Sequence, residues 1–279
     1  MTPTTYHALW LSLTPLYETG EAQAIVRLLL EDAFGLTMAD VLCGGIDSMT
    51  STQKANLDGM MRRLQNAEPI QYVLGQTEFC GRMFHVAQGV LIPRPETELL
   101  CQWIESNHQG LSGGSLLDIG TGSGSIAVTL ALALPHCSVT AWDISDRALG
   151  IACKNAKTLG ADITFEHIDA LNPPDDQRRW DIIVSNPPYV TLAERDAMHN
   201  NVLQYEPDEA LFVPDDDPQL FYRAIALYAK KHLHEGGSLY FECSQYHVAQ
   251  TAELLTSMGF QSIETINDQF GRPRHVRGS

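Results

Sequence analysis

Basic residues are scarce in this chain of 279 residues, where 18 lysines and arginines stand against 34 aspartates and glutamates. The formal net charge is therefore −16. Proteins that bind nucleic acid through its phosphates use lysine and arginine to displace counterions. The charge balance argues against a nucleic-acid substrate, although a local basic patch can survive on an acidic protein.

Long apolar runs and secretory features are also missing. No stretch reaches the ~18 apolar residues that predict a transmembrane helix. The start, Met1-Thr2-Pro3-Thr4, has neither the basic nor the apolar region of a signal peptide. Apolar residues make up 44% of the chain and charged residues 19%, as in ordinary globular proteins. We expect a cytoplasmic protein without membrane contact, folded as one large domain or two smaller ones.

The six cysteines include no Cys-x-x-Cys pair. In a reducing compartment such cysteines are most simply small buried hydrophobic residues. The ten histidines are scattered along the chain. The sequence therefore predicts no metal site.

The first part of the chain has a helical pattern. Between residue 4 and about residue 68, apolar residues recur at helical spacing in three stripes, and glycines and Thr50-Ser51 supply breaks and caps. From Gln76 to Ile92, aromatic and β-branched residues alternate with glycine and polar residues, which predicts a β-hairpin. We expect a small helical domain over 1–74, a hairpin linker over 75–92 and a third segment over 93–279.

Strand and helix patterns alternate over 93–279, which is typical of an α/β domain built on a parallel sheet. Internal repeats are absent. The predicted strands are 115–119, 138–142, 163–165, 181–184 and 238–242, with one or two more within 260–276. The predicted helices are 126–134, 147–159, 220–232 and 248–258.

One hexapeptide, Ser-Asn-Pro-Pro-Tyr-Val at 185–190, directly follows the apolar run 181–184. Asn186 therefore lies just past the carboxyl end of a core strand, where open α/β sheets bind ligands. Pro187 and Pro188 fix the backbone and donate no N–H, so acceptor oxygens dominate, with the Tyr189 ring as a wall. Such a set suits a planar group that carries an NH2. By itself, the motif could equally be a turn after a strand.

A glycine loop, Gly120-Thr121-Gly122-Ser123-Gly124, follows the strand 115–119 and opens the next helix. Glycines let backbone N–H groups approach a ligand closely at the positive end of a helix. The dinucleotide fingerprint is not met because position 125 is serine, and no Gly-Lys-Ser/Thr follows, as a Walker loop requires. Asp143 ends the next strand and can accept from both hydroxyls of a ribose.

The acidic residue before the loop, Asp118, suits a cationic amino group better than a pyrophosphate. Together with the glycine loop and Asp143 it favours S-adenosylmethionine, which carries an ammonium and a sulfonium. Asp169, after the third strand, is a candidate partner for the adenine amino group, although a solvated loop acid is nearly as good an interpretation.

The combination of Leu-Asp-Ile-Gly-Thr-Gly-Ser-Gly at 117–124 with Asn-Pro-Pro-Tyr at 186–189 resembles class I methyltransferases that modify planar NH2 nitrogens. The runs Ile-Pro-Arg-Pro-Glu-Thr-Glu at 92–98 and Tyr-Glu-Pro-Asp-Glu-Ala-Leu at 205–211 are similar to the HemK/PrmC family. The resemblance extends from the helical region to the arginine-containing tail. It implies a Rossmann-like methyltransferase that modifies the glutamine amide nitrogen (N5) in the Gly-Gly-Gln motif of class I peptide chain release factors.

The resemblance also implies roles for individual residues. Gly120 to Gly124, Asp143 and Asn186 would bind S-adenosylmethionine. Asn186 would also touch the substrate, and Pro187, Pro188 and Tyr189 would complete the glutamine pocket. The helical domain would dock the protein substrate, although it could also be a stabilising cap. Two departures are Ala170, where relatives often have an aromatic residue beside the adenine, and Ser244 in place of glycine.

Two other functions are compatible with the motifs. The first is a DNA or RNA methyltransferase acting on an adenine or guanine amino group of a flipped base, which needs a basic groove. The second is a non-catalytic nucleotide-binding module in which Asn-Pro-Pro is structural. For the glutamine enzyme we expect in-line methyl displacement driven by alignment, no strong general base, and a monomeric protein.

Overall fold

The computed structural model describes residues 5–111 and 113–279, with only the backbone of Ala197. Positions 1–4 and 112, which fall in the predicted helical and third segments, lie outside the described residues. Contacts within the chain divide it into two compact units. One contains the residues up to Gln76 together with His199–Tyr205, and the other contains Thr77–Met198 and Glu206–Ser279.

The elements follow one another in a helical and then an alternating order. The first are α1 (Tyr6–Leu11), α2 (Thr19–Phe34), α3 (Met38–Leu42), α4 (Ser51–Gln65), α5 (Ile70–Leu74), β1 (Gln76–Phe79), β2 (Arg82–His85) and α6 (Pro95–Asn107). Next come β3 (Ser115–Ile119), α7 (Ser125–Ala133), β4 (Ser138–Asp143), α8 (Asp146–Leu159), β5 (Ile163–His167) and β6 (Trp180–Ser185). The last are β7 (Val190–Thr191), a 3-10 helix (Leu192–Ala197), α9 (Asn200–Tyr205), α10 (Asp208–Leu211), β8 (Phe212–Val213), α11 (Leu220–His232), β9 (Leu233–Glu242), α12 (Val248–Ser257), β10 (Glu264–Asn267) and β11 (Pro273–Gly278).

The helical unit is built as its apolar stripes predict. Its buried residues come from each stripe and include Leu9, Ala22, Val26, Leu29, Leu57 and Leu64. Gly35 ends α2 in the left-handed conformation, and Thr50 begins α4 in a capping box with Gln53. Tyr205, at the end of α9, donates from its hydroxyl to the Asn66 carbonyl at 2.8 Å. No helix was predicted over Asn200–Tyr205 from the sequence.

The second unit contains a seven-stranded sheet in the order β10-β11-β9-β6-β3-β4-β5. Strands β5, β4, β3, β6 and β9 are parallel, whereas β11 pairs antiparallel with both β9 and β10. Alternate residues of β3 pack into different apolar clusters, Leu116 with α6 and α7 and Leu117 with α11 and α12. Both faces are covered by helices, which explains the continuous apolar run of β6.

The predicted alternation of strands and helices is confirmed, with corrections to its details. The hairpin stops at His85, whereas it was predicted to continue to Ile92. Val86, Val90 and Ile92 are buried like strand residues, but the Ile92 N–H donates to a side chain, Glu206 Oε2, at 3.1 Å. The cysteines also differ from expectation, since Cys101 and Cys243 are buried and Cys43 and Cys153 are exposed.

Candidate active site

A cavity of about 350 Å³ opens at the carboxyl ends of the central parallel strands, as expected for an open α/β sheet. Eight of the predicted site residues line it: Gly120, Gly122, Asp143, Asp169, Ala170, Asn186, Pro187 and Pro188. The fold therefore brings the glycine loop, Asp143 and the Asn-Pro-Pro segment to one place. The other five predicted site residues, Asp118, Thr121, Ser123, Gly124 and Tyr189, are not among the residues that line it.

The three loop glycines have two different functions. All of them are left-handed, with φ of 76° at Gly120, 56° at Gly122 and 80° at Gly124. A Cβ added at Gly120 or Gly122 would meet nothing within 4 Å, so this side of the loop is open to a ligand. A Cβ at Gly124 would lie 3.0 Å from the Ala152 Cβ. Gly124 therefore permits the close packing of α7 against α8.

Gly124→Ala is expected to lower the free energy of unfolding by about 2–3 kcal/mol, because it adds left-handed strain to a collision with α8. Gly150→Ala is the matched control. It lies within α8, where an added Cβ meets nothing within 4 Å, so we expect a gain of up to ~1 kcal/mol. Urea unfolding monitored by circular dichroism measures both changes. Equal stabilities for the two variants would contradict this account of the loop.

Asp118 is fully buried under the loop. Its Oδ2 accepts from the Thr121 hydroxyl at 2.6 Å and from the Ala127 N–H at 3.2 Å. Its Oδ1 has no hydrogen-bond partner. Burial raises the pKa of Asp118 to about 7 against the effect of both donors. Asp118 therefore links the glycine loop to the first turn of α7, and one of its oxygens stays unpaired.

Asp143 joins the glycine loop to the start of α8. Its Oδ2 accepts from the Gly122 N–H at 2.8 Å, and its Oδ1 accepts from the Ser145 N–H at 2.9 Å. Each carboxylate oxygen keeps capacity for a further donor. Burial raises the pKa of Asp143, while the backbone donors oppose that shift. The two backbone donors thereby fix the orientation of the carboxylate at the cavity wall.

Asp169, which follows the third predicted strand, accepts hydrogen bonds within its own loop. Asp169 Oδ1 accepts from the Leu171 N–H at 2.8 Å, and Oδ2 accepts from the Asn172 side-chain amide at 2.7 Å. Ala170 lines the cavity together with Leu171 and Ile144, which are exposed by 37% and 55%. These two aliphatic side chains supply an apolar surface where Ala170 itself supplies little.

Asn186 is held by a chain of side-chain hydrogen bonds. Its Nδ2 donates to Thr97 Oγ1 at 3.3 Å, and the Thr97 hydroxyl donates to Glu242 Oε2 at 2.7 Å. Tyr189 donates from its hydroxyl to Glu242 Oε1 at 3.4 Å, and its ring packs against the apolar cluster of the sheet. Burial raises the pKa of Tyr189, so its hydroxyl stays protonated.

The two sequence runs that carried the family resemblance meet in space. Arg94 pairs with Glu206 at 2.6 Å, and Glu206 also accepts from the Ile92 N–H. The Glu206 side chain is only 1% exposed, so this ion pair fixes the loop before α6 beside the cavity.

Several site residues had no assigned role in the sequence. Val90, Leu91, Phe212, Phe221 and Ile225 line the cavity, and Glu242 anchors the chain of bonds to Asn186. Glu242 could have been found, since it ends a predicted strand at the same sheet edge as Asn186.

Within residues 5–111 and 113–279, no helix is long and apolar enough to cross a membrane. The same residues contain no group of three or more His, Cys, Asp or Glu placed to hold a metal ion.

Comparisons with known proteins agree with this geometry. The family model "Methyltransferase small domain" matches residues 95–207, and "PrmC N-terminal domain" matches residues 14–75. A release factor glutamine methyltransferase of Bacteroides thetaiotaomicron is 44% identical over 264 residues, covering 94% of each chain. Its counterpart in Flavobacterium psychrophilum is 40% identical over 269 residues, covering 95% of this chain and 94% of that protein.

Solved structures show the same fold. A 16S rRNA N2 methyltransferase of T. thermophilus, in complex with AdoMet and guanosine, aligns with a TM-score of 0.53 at 19% identity. The alignment covers 73% of this chain and 49% of that chain. The matched family model and these relatives, together with the sheet order, therefore define a class I methyltransferase that uses S-adenosylmethionine. Within this class, the chain belongs to the release factor glutamine methyltransferase family.

Proposed function

We propose that this enzyme transfers the methyl group of S-adenosylmethionine to the side-chain amide nitrogen of the glutamine in the Gly-Gly-Gln motif of class I release factors. The observation that carries the proposal is the orientation of Asn186. Because its Nδ2 donates to Thr97, its oxygen is left to accept from a ligand in the cavity. A primary amide has two N–H groups and requires such acceptors.

The residues around the cavity fit S-adenosylmethionine. The open loop at Gly120 and Gly122 allows close approach of the backbone, and Asp143 offers oxygens to ribose hydroxyls. Ile144 and Leu171 provide apolar contact for the adenine, which compensates for Ala170. Asp118, with its buried unpaired oxygen, favours the positive charges of the methionine part. When bound, this cofactor supplies a methyl group on a positively charged sulfur.

The protein contributes alignment to the reaction. The lone pair of an amide nitrogen is delocalised into its carbonyl, so the nucleophile is weak. Asn186 Oδ1 and the Pro187 carbonyl would accept its two hydrogens and favour a pyramidal nitrogen whose lone pair points at the methyl carbon. As the new C–N bond formed, the bond between the methyl carbon and sulfur would break and leave a neutral thioether. The nitrogen would lose a proton to a neighbouring acceptor or water. No strong base is needed, and positioning supplies the rate.

We further propose that the chain comprises a helical substrate-docking domain, a hairpin linker and a catalytic domain, and works as a cytoplasmic monomer. Exposed apolar side chains on the helical unit support a docking role. Leu42 is 83% exposed, and Leu11, Leu16 and Leu28 are partly exposed. Such side chains are available to a protein partner.

The proposal is tested with purified protein and radiolabelled S-adenosylmethionine. A class I release factor should become labelled, whereas its variant with alanine in place of the Gly-Gly-Gln glutamine should not. Equal labelling of both would place the methyl group elsewhere. Absence of label on both, with cofactor binding intact and label on duplex DNA or RNA, would contradict the proposal in favour of a base methyltransferase.

A further inference from the structure

The direction of each hydrogen bond between Asn186 and Glu242 can be deduced from elementary chemistry. An ionised carboxylate has no hydrogen to donate, so the Thr97 hydroxyl must donate to Glu242 at 2.7 Å. The Thr97 oxygen can then only accept a hydrogen bond from Asn186. The Asn186 side chain must therefore turn its NH2 towards Thr97. The opposite orientation of the Asn186 amide would bring two acceptor oxygens together. The charge on Glu242 thus determines which end of Asn186 faces the cavity.

Glu242 is not among the residues that line the cavity, and its carboxylate accepts from both Thr97 and Tyr189. It is 1% exposed, ends β9, and lies behind Asn186 at the same sheet edge. Its backbone carbonyl accepts from the Tyr222 hydroxyl at 3.1 Å, which fixes the strand end on α11. Thr97 is equally buried at 3% and belongs to α6. Two buried side chains from different elements therefore fix one residue of the cavity wall.

We propose that Glu242 is a positioning residue that, through Thr97, keeps the Asn186 oxygen towards the substrate amide. The inference rests on the proposed function, since it concerns how an NH2 group is received. If Glu242 were neutral, its own proton could point at Thr97, and the Thr97 hydrogen could turn to Asn186. Asn186 could then present its NH2 to the NH2 of the substrate, which would place donor against donor.

The pKa of Glu242 depends on its burial and on the groups that face it. They are Glu96 and Thr97 on α6, Cys101 on α6, Tyr189 after β6, Tyr222 on α11, Cys243 beside it, and Arg274 and His275 on β11. Burial raises the pKa of Glu242 to about 6, against the effects of Thr97 and Arg274. The His275 ring lies 3.9 Å away, and burial lowers its pKa to about 4, so it stays neutral above that value.

A pH profile follows with a definite sign. Glu242 becomes ionised as pH rises through about 6. The turnover number kcat at saturating cofactor should therefore contain a rising step centred near pH 6. Glu242→Gln removes this titration while keeping the shape and an acceptor oxygen. Its kcat should be lower at pH 8 by about threefold to tenfold, because either direction of the bonds becomes possible.

The test compares four proteins in methyl transfer to a release factor: wild type, Glu242→Gln, Thr97→Val and Thr97→Ser. Thr97→Val keeps the shape without the hydroxyl, and kcat should fall about tenfold or more with unchanged KM for the cofactor. Thr97→Ser restores the hydroxyl and should restore at least half of the rate. Asp118, with a pKa of about 7, is present in all four and cancels in the comparison of profiles.

Three results would overturn the proposal. They are a Thr97→Val enzyme within twofold of wild type, equal losses in the valine and serine variants, or a Glu242→Gln enzyme that keeps the wild-type inflection near pH 6. The first two would assign Thr97 a packing role, and the third would assign the titration to another group.

A second measurement does not depend on the substrate. The Asn186 side-chain NH2 is observed by nitrogen-15 NMR in asparagine-labelled protein. Its protons should exchange faster with water in Thr97→Val than in wild type, and their shifts should titrate near pH 6 in wild type alone. If wild type labels no release factor but these changes occur, the proposed function fails and the positioning role stands. If neither change occurs, the positioning role is wrong.

Discussion

Asn186→Ala is expected to lower kcat for methyl transfer by about a hundredfold or more while leaving the dissociation constant of S-adenosylmethionine nearly unchanged. The variant removes the acceptor that orients the substrate nitrogen, whereas the glycine loop and Asp143 that hold the cofactor remain. The loss should appear mainly in kcat, because alignment matters most in the transition state. Single-turnover kinetics at saturating substrate and calorimetric titration of the cofactor measure the two quantities.

Asn267→Ala is the matched control, since Asn267 is an exposed asparagine at the end of β10. It should retain wild-type kcat and cofactor affinity. An Asn186→Ala enzyme as active as this control would remove the basis of the proposed mechanism. A large loss of cofactor affinity with unchanged kcat would instead make Asn186 a cofactor residue.

The parts of the site that depend on local backbone chemistry were predictable from the sequence. The apolar run of β6 is buried on both faces, so it has to be a central strand, and Asn186 has to follow at its carboxyl end. The glycine loop was predictable for a similar reason. Gly120 and Gly122 adopt the left-handed backbone that favours glycine, and they lie between a strand and a helix. In both cases the information lies within about ten consecutive residues.

The parts that depend on strand order were not predictable from local pattern. Thr97 and Glu242 are separated by 145 positions and meet because α6 packs against β9, which itself lies next to β6 in the sheet. The segment from Val86 to Ile92 was wrongly predicted as strand for a related reason. Its apolar residues are buried, but the Ile92 N–H is satisfied by Glu206, 114 positions away. Burial gives the same sequence pattern whether or not a partner strand exists.

Asp143→Ala is expected to weaken the binding of S-adenosylmethionine about a hundredfold or more. The carboxylate would accept from ribose hydroxyls, and two charge-assisted hydrogen bonds contribute about 1.5–3 kcal/mol each. The variant also frees the Gly122 N–H, which Asp143 now holds at 2.8 Å, so the loop loses an anchor. Calorimetric titration measures the dissociation constant. Asp146→Ala is the matched control because this nearby side chain is 88% exposed, and it should bind like wild type.

A cofactor analogue without the ribose hydroxyls separates the contact with ribose from the effect on the loop. Wild type should bind the dideoxy analogue much more weakly than S-adenosylmethionine. Asp143→Ala should bind the two compounds with similar affinity, because the partner of the hydroxyls is gone. If the variant still discriminated against the analogue as strongly as wild type, Asp143 would act only on the loop. The ribose would then be held by other groups at the cavity wall, for which the backbone N–H donors of the loop are the first candidates.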